Sequence, residues 1–481
     1  MEIAAPDGAL ITAQTWANSS RGPATSPTFD MMDALPTARP GTAVRILATT
    51  DLGAAFVPLR TSYGTAGTCA GLAELLEWER ESQPTLWLDA GDLAVGPVQP
   101  LLGRRPWQEL AQLPVDAAAA GNHEFDEGVP ALRVAAGLLP YPLLCANVDV
   151  GLPASTIIDT SGGPVGVVGV THPFTHRFAI APPPLDGWPQ RVAELCVDLR
   201  ADGARWVVVL LHDGVDWWPQ PGSTATGARS DRLAELTRPW ISSVDLVLGG
   251  HTPGSWVGTL GGVPFGHPHI FAASVLVADL PSGAGRARIR GVHPVPGRRP
   301  PRRDPAVDAL DAAAANVLGQ SRHDWLGRTG ATHYLPRLIA RALHESTGAD
   351  AGLVLASEHT NQGAVDGAVA ALPAGPVTEL DLMRLFGQAD DRPAVIHLRP
   401  GEYRTLLRAV TAVADPANSA GDHVWWNWGR MPPGISTGAA EPTTVAVAPF
   451  LVPRLAELLD RPLDSELASV GARQALLAVL P

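Results

Sequence analysis

Residues 117–128 read AAAAGNHEFDEG, an apolar run that stops abruptly at a cluster of polar and turn-forming side chains. An open α/β sheet presents such a junction at the carboxyl end of a strand, where ligands are bound. Within the stretch Asn122 offers a side-chain oxygen to a metal and His123 can exchange a proton near neutral pH. Asp126 follows three residues after His123, close enough to fix the imidazole tautomer. No structural role needs all three so close together. The chain is therefore read outward from here as an α/β protein with its chemistry at strand ends.

The same rhythm recurs on both sides. A short apolar run over 44–50 ends in Asp51, and Thr85-Leu86-Trp87-Leu88 ends in Asp89-Ala90-Gly91-Asp92. Between them AGLAELLEWERE, residues 70–81, sets Leu72, Leu75 and Leu76 on one helical face with charges opposite. Residues 143–148 and 165–170 read as two more buried strands. The β-branched run 205–211 ends at His212-Asp213-Gly214, and 244–248 ends at Gly249-Gly250-His251-Thr252. Strands alternating with crossover helices predict a layered α/β fold. Its strand ends deliver Asp51, Asp92, Asn122, His123, His212 and His251 to one edge.

At 481 residues the chain exceeds one ordinary core, and two domains are expected. Residues 1–40, rich in Ala, Ser, Thr and Pro without a period, read as an irregular tail, and 41–293 as the first domain. PVPGRRPPRRDP, residues 294–305, reads as a linker. Residues 306–481 read as a second α/β unit, with a helical pattern at 335–343 and a strand at 349–355. A content of 46% hydrophobic and 17% charged residues is globular. The net charge of −13 argues against nucleic acid as a partner. Cys69, Cys145 and Cys196 are widely spaced and give neither a disulfide framework nor a paired metal site. No leader pattern and no run of about 18 apolar residues is seen, so the expectation is a soluble, cytoplasmic chain without a membrane partner. Its oligomeric state is open.

Asp, Asn and His without a thiolate are borderline-to-hard ligands, suited to Mn²⁺, Zn²⁺ or a similar divalent ion. In chain order Asp51, LDAGDLAVG (88–96), GNHEFDEG (121–128), LLHDG (210–214) and GGHT (249–252) resemble the blocks of the calcineurin-like metallophosphoesterases. Within that family the likeness is to the 5′-nucleotidase and UDP-sugar hydrolase branch. The resemblance implies a four-layer sandwich, two mixed β-sheets flanked by helices, followed by a smaller α/β domain that binds substrate. It implies two metals bridged by Asp92, with Asn122, His212 and His251 completing the second shell and Asp51 on the first. His123 and Asp126 then resemble the catalytic dyad that stabilises charge on the phosphoryl oxygens or the leaving group.

The sequence departs from this pattern where the first metal would sit. The family's Asp-x-His block reads Asp51-Leu52-Gly53, and its last block reads His251-Thr252-Pro253. Neither glycine nor proline has a side-chain ligand, so one firmly bound ion is expected and the second is in doubt. His267 or His269, in FGHPHIF, could substitute or could be ordinary loop histidines. In the second domain Phe386 and Phe450 resemble the pair of rings between which a planar base stacks, although both also read as core. The block expected to grip phosphate and ribose is replaced by LASEHTN, residues 355–361.

The expected function is therefore metal-dependent hydrolysis of a phosphoric ester, at a divergent site with a non-standard, aromatic or nucleoside-like small substrate. Two alternatives remain open: a repurposed biosynthetic enzyme that uses the remaining metal and dyad for another reaction, and a ligand-binding pseudo-enzyme.

Overall fold

The computed structural model describes residues 35–480 except 59, 62–63, 66, 95–97, 178, 220–225, 253, 300–304, 328–331, 355–370, 387–390 and 413–433. Two six-stranded mixed sheets lie at its centre. The first runs Arg288–Pro294, Ser274–Pro281, Thr42–Thr49, Thr85–Asp89, Ala117–Ala119, Leu143–Leu144. Thr42–Thr49 pairs in parallel with Thr85–Asp89, from Arg45 opposite Thr85 to Thr49 opposite Asp89, and the next two strands continue in parallel. The second sheet runs Trp256–Leu260, Val263–His267, Leu246–Gly249, Trp206–Leu211, Val165–Val170, Ser155–Ile158.

Burial explains why these runs are strands. Every residue of Trp206–Leu211 is buried, because both faces of the sheet are covered. Val208 and Leu210 face the first sheet, in a cluster with Ile46, Ala48, Leu86 and Leu88. Val207, Val209 and Leu211 face outward onto Val192, Cys196 and Leu199 of the helix Trp188–Ala201. On the far side of the first sheet the helix Cys69–Ser82 buries Leu72, Leu75 and Leu76. Its first turn is capped by Thr68, whose side chain accepts from Gly71 N, and it ends before Pro84, which disfavours helical backbone at Gln83. Helices thus cover both outer faces, giving the four layers expected.

The second unit holds a five-stranded sheet ordered Gly434–Thr437, Ala351–Val354, Thr444–Val447, Ala394–His397, Ser465–Leu467. One face carries the helices Leu335–Thr347 and Ala472–Val479 through Leu338, Ile339, Leu343 and Leu476. Around the expected linker, Val295 is buried in the first core. The helix Pro305–Ala315 adds Ala306, Val307, Leu310 and Ala313 to that same core, and Leu380 reaches it from the second unit. Of the expected tail, residues 35–40 are described; Leu35 is buried in the first core and Pro36 O accepts from Arg45. No described helix is long and apolar enough to cross a membrane.

Candidate metal centre

The site forms where strands of both sheets end. Asp51, Asp92 and His251 follow Thr42–Thr49, Thr85–Asp89 and Leu246–Gly249, and each has a left-handed backbone, with φ of 48°, 61° and 66°. Non-glycine residues rarely adopt that region, and strain of this kind gathers at functional sites. The loops also approach closely. A Cβ on Gly121 would lie 2.1 Å from Asp92 Oδ1, so that position admits only glycine.

His212, Asp92 and Asn122 converge at the centre. His212 Nδ1 donates to Ala90 O at 2.7 Å, which leaves Nε2 as the lone-pair nitrogen. That Nε2 lies 3.1 Å from Asp92 Oδ2 and 3.1 Å from Asn122 Oδ1. Acceptor atoms facing one another at this range need a proton or a cation between them. His251 completes the group, since one ligand atom each from Asp92, His212 and His251 lies within 4.8 Å of the others. Asp51 joins from the side: its Oδ2 accepts from His251 N at 2.9 Å and from Thr50 Oγ1 at 2.5 Å. Among the described residues this is the one cluster of three or more His, Cys, Asp or Glu placed to share an ion.

The charges favour a cation. Burial alone would depress His212, but Asp92, Asp51 and Glu124 drive it up to about 10. Burial works against Asp92, yet His212 and His123 hold it well below the usual carboxylate range. Burial and neighbouring carboxylates push Asp89 and Glu124 up to about 7; burial and Asp92, partly offset by His212, push Asp51 up to about 6. Burial, then His172 and His212, hold His251 well below its ordinary value, as an unprotonated ligand needs to be. A divalent ion fits this donor set.

Beside the centre, His123 Nδ1 lies 2.8 Å from Asp126 Oδ2, and His123 N donates to Asp92 Oδ1 at 2.8 Å. The His123 side chain is 32% exposed, so the imidazole reaches solvent while the ligands do not. Burial opposes its protonation, but Asp92 and Asp126 raise it to about 9. A positively charged or hydrogen-bond-donating imidazole next to a cation is suited to stabilising developing negative charge.

The calcineurin-like phosphoesterase profile matches residues 44–255. Those residues form a calcineurin-like phosphoesterase domain. Endonuclease YhcR of Bacillus subtilis is 30% identical over 204 residues, 37% of this chain and 16% of that protein. A 5′-nucleotidase of Diplobatis ommata is 27% identical over 202 residues, 39% of this chain and 32% of that protein. The matched part of the chain thus spans a third or less of these relatives' length. The 5′-nucleotidase precursor of Thermus thermophilus shares the fold across both units, with a TM-score of 0.67, 18% identity, and coverage of 91% of this chain and 96% of that one. Within the family the chain resembles the 5′-nucleotidase branch.

Around the phosphoesterase domain's centre lie residues that local sequence reading passed over. Glu124, 3% exposed, accepts from Gly121 N at 2.6 Å and from Asp92 N and Leu93 N at 2.9 Å each, tying two ligand loops together. Arg105 donates to Asp126 from a loop 21 residues upstream. Behind His251, His172 stacks with ring centroids 4.2 Å apart, and Asp213 lies 3.9 Å from His172 while pairing with Arg232 at 2.7 Å. Glu124 and Asp213 were legible as parts of GNHEFDEG and LLHDG; Arg105, His172 and Arg232 join through space and leave no local pattern.

Other expected residues fall differently. Gly53 sits beside Asp51 with φ of 55°, its N donating to Asp92 O, and Pro253 lies outside the described residues. His267 is fully buried at the end of Val263–His267, its ring tilted against Phe265 at 6.1 Å, and takes no part in the acidic cluster. Phe386 is 6% exposed and belongs to the core of the second unit. The side chain of Phe450 and residues 355–361 lie outside the described residues.

Proposed function

We propose that this chain is a metal-dependent hydrolase of phosphoric esters with one firmly held divalent ion. The carrying observation is His212, with Nδ1 committed to Ala90 O and Nε2 turned to Asp92 Oδ2 and Asn122 Oδ1. In this reading Asp92, Asn122, His212 and His251 hold the ion, and Asp51 lies at the weakened first position. Such an ion, when bound, acts as a Lewis acid and lowers the pKa of a coordinated water. His123, with Nδ1 held by Asp126, turns its Nε2 edge to the reacting group and supports charge on phosphoryl or leaving-group oxygen.

We further propose that 41–293 is the catalytic unit and 306–481 a substrate-binding unit. Its substrate is a small phosphorylated molecule with an aromatic or nucleoside-like part. Support comes from the 5′-nucleotidases among the relatives. Gly53 favours a second reading, a repurposed enzyme whose ion and dyad act on another bond, because it removes one ligand of the two-metal clamp.

The test is phosphate release from nucleoside monophosphates, sugar phosphates and 4-nitrophenyl phosphate by Mn²⁺- or Zn²⁺-loaded protein, beside His123→Ala. Turnover that falls by about 10²-fold or more in the variant supports the first reading. No release from any phosphoester by metal-loaded protein overturns it in favour of the second.

A further inference from the structure

We propose that Arg105 is a positioning residue that locks the His123–Asp126 pair, a role that rests on the hydrolase reading above. Arg104 and Arg105 stand together in the turn between the helices Val98–Leu102 and Trp107–Leu110, yet they meet opposite fates. Arg104 is 43% exposed at its side chain and pairs with Glu109 on its own stretch of chain. Arg105 is 4% exposed and crosses to the stretch that carries the dyad. Pro106 favours extended backbone at Arg105, which sends neighbouring side chains to opposite sides.

Burying a guanidinium costs several kcal/mol unless its donors are well met. Here Nη1 donates to His123 O at 2.7 Å and Nη2 donates to Asp126 Oδ2 at 2.7 Å, while Nε makes no hydrogen bond among the described residues and has only the charge of Glu127 Oε1 at 3.5 Å. The Asp126 oxygen reached by Arg105 is the same one that lies 2.8 Å from His123 Nδ1. One carboxylate oxygen is thus fixed by two donors, and its rotamer cannot change without breaking both. The fork also fixes the dyad's backbone. His123 has its N–H held by Asp92 Oδ1, its carbonyl by Arg105 and its Nδ1 by Asp126.

This matters because Asp126 is 35% exposed. A half-exposed carboxylate without a buried anchor would swing to water and release the ring. Arg105, 4% exposed, supplies that anchor. Lysine cannot replace the fork, since one ammonium does not span a carbonyl and a carboxylate in fixed planar geometry.

The experiment compares Arg105→Ala, Arg105→Lys, His123→Ala and the Arg105→Ala/His123→Ala double variant, metal-loaded, with 4-nitrophenyl phosphate. Arg105→Ala is expected to lower kcat by about 10- to 100-fold with KM little changed, as loss of an orienting partner does. Arg105→Lys is expected to fall between it and the parent. In the His123→Ala background the same Arg105→Ala change is expected to have no further effect, because the two act as a unit. The exchange-protected Nδ1–H proton of His123, assigned by its loss in His123→Ala, is expected to persist in Arg105→Lys and vanish in Arg105→Ala. An equal kcat loss in both backgrounds, or a loss seen only in KM, overturns the proposal. If the parent releases no phosphate from any ester, the hydrolase reading fails by itself. The proton signal then decides: unchanged in Arg105→Ala, it overturns the positioning role. Should Arg105→Ala fail to fold, Arg105→Lys in the parent and in the His123→Ala background carries the kcat comparison: a loss in the parent and none in His123→Ala supports the proposal, and an equal loss in both overturns it.

Discussion

Removing the metal should make stability depend on pH in a direction that the buried acids dictate. Asp89 is fully buried, accepting among the described residues from Thr49 Oγ1 and Gly91 N, and burial pushes it from 3.8 to about 7. At about 1.4 kcal/mol per pH unit, ionising it in the metal-free fold costs about 4 kcal/mol. Glu124 and Asp51 are raised too and interact with their neighbours, so the single-group figure sets the scale rather than the sum. A folded pKa raised above the unfolded one gives stability that is present at low pH and lost as pH rises through the folded value. The raised His212, at about 10, pulls the same way from pH 6.5 upward. His172, His251, His267 and His269, which burial holds low, pull the other way only up to about pH 6.5. Asp89, Glu124 and His212 pull on beyond it, so the net change in metal-free protein between pH 5.5 and 8 should be a loss. A divalent ion offsets the carboxylates and takes the proton's place on His212, so its stabilising increment should grow across that window. Between pH 5.5 and 8 Asp89 accounts for only about half of its ~4 kcal/mol, because pH 5.5 already lies above its unfolded value, so at about 2–4 °C per kcal/mol for a domain of this size the growth should be on the order of 5 °C. Thermal unfolding in chelator and in excess Mn²⁺ at both pH values reads it directly. An increment equal at pH 5.5 and 8, or a metal-free Tm that climbs toward pH 8, would refute the reasoning.

Other consequences are local. Gly121→Ala places a methyl 2.1 Å from Asp92 Oδ1, so metal retention after dialysis should drop sharply while the far-UV spectrum stays native. Arg45 is fully buried between Glu79 at 3.0 Å and Asp279 at 2.9 Å, and Arg45→Met leaves Glu79 with Gln83 in place of a cation and Asp279 with only Arg290 at 3.3 Å. Denaturant titration should show a loss of about 3–5 kcal/mol. Burial raises the thiols of Cys69, Cys145 and Cys196 to about 12, so a thiol reagent at pH 8 should modify none in native protein and all of them after unfolding.

Legibility in the sequence followed how local each signal was. Trp206–Leu211 was readable because six consecutive apolar residues at a strand's length have few other uses. The helix Cys69–Ser82 was readable from its leucine spacing. Ala117–Ala119 is different: alanine has little strand preference, and pairing beside Leu88 and Leu143 makes it a strand. Asp92, His212 and His251, which could share an ion, and Asp51 and Asn122 beside them stood out because each follows a strand, and strand ends meet. Arg105, His172 and Arg232 did not, because each acts through a contact made only after folding. The proline–arginine stretch after 294 signalled an exposed linker, but the alanine-rich helix that follows it buries small side chains against the first core, where composition alone gave no partner.

The central claim is a single firmly held divalent ion among Asp92, Asn122, His212 and His251. Elemental analysis of protein loaded with Mn²⁺ or Zn²⁺ and then desalted, beside His212→Ala treated alike, tests it most directly. The account predicts about one ion per chain in the parent and close to none in the variant. About two ions per chain, or an unchanged count in His212→Ala, would contradict it.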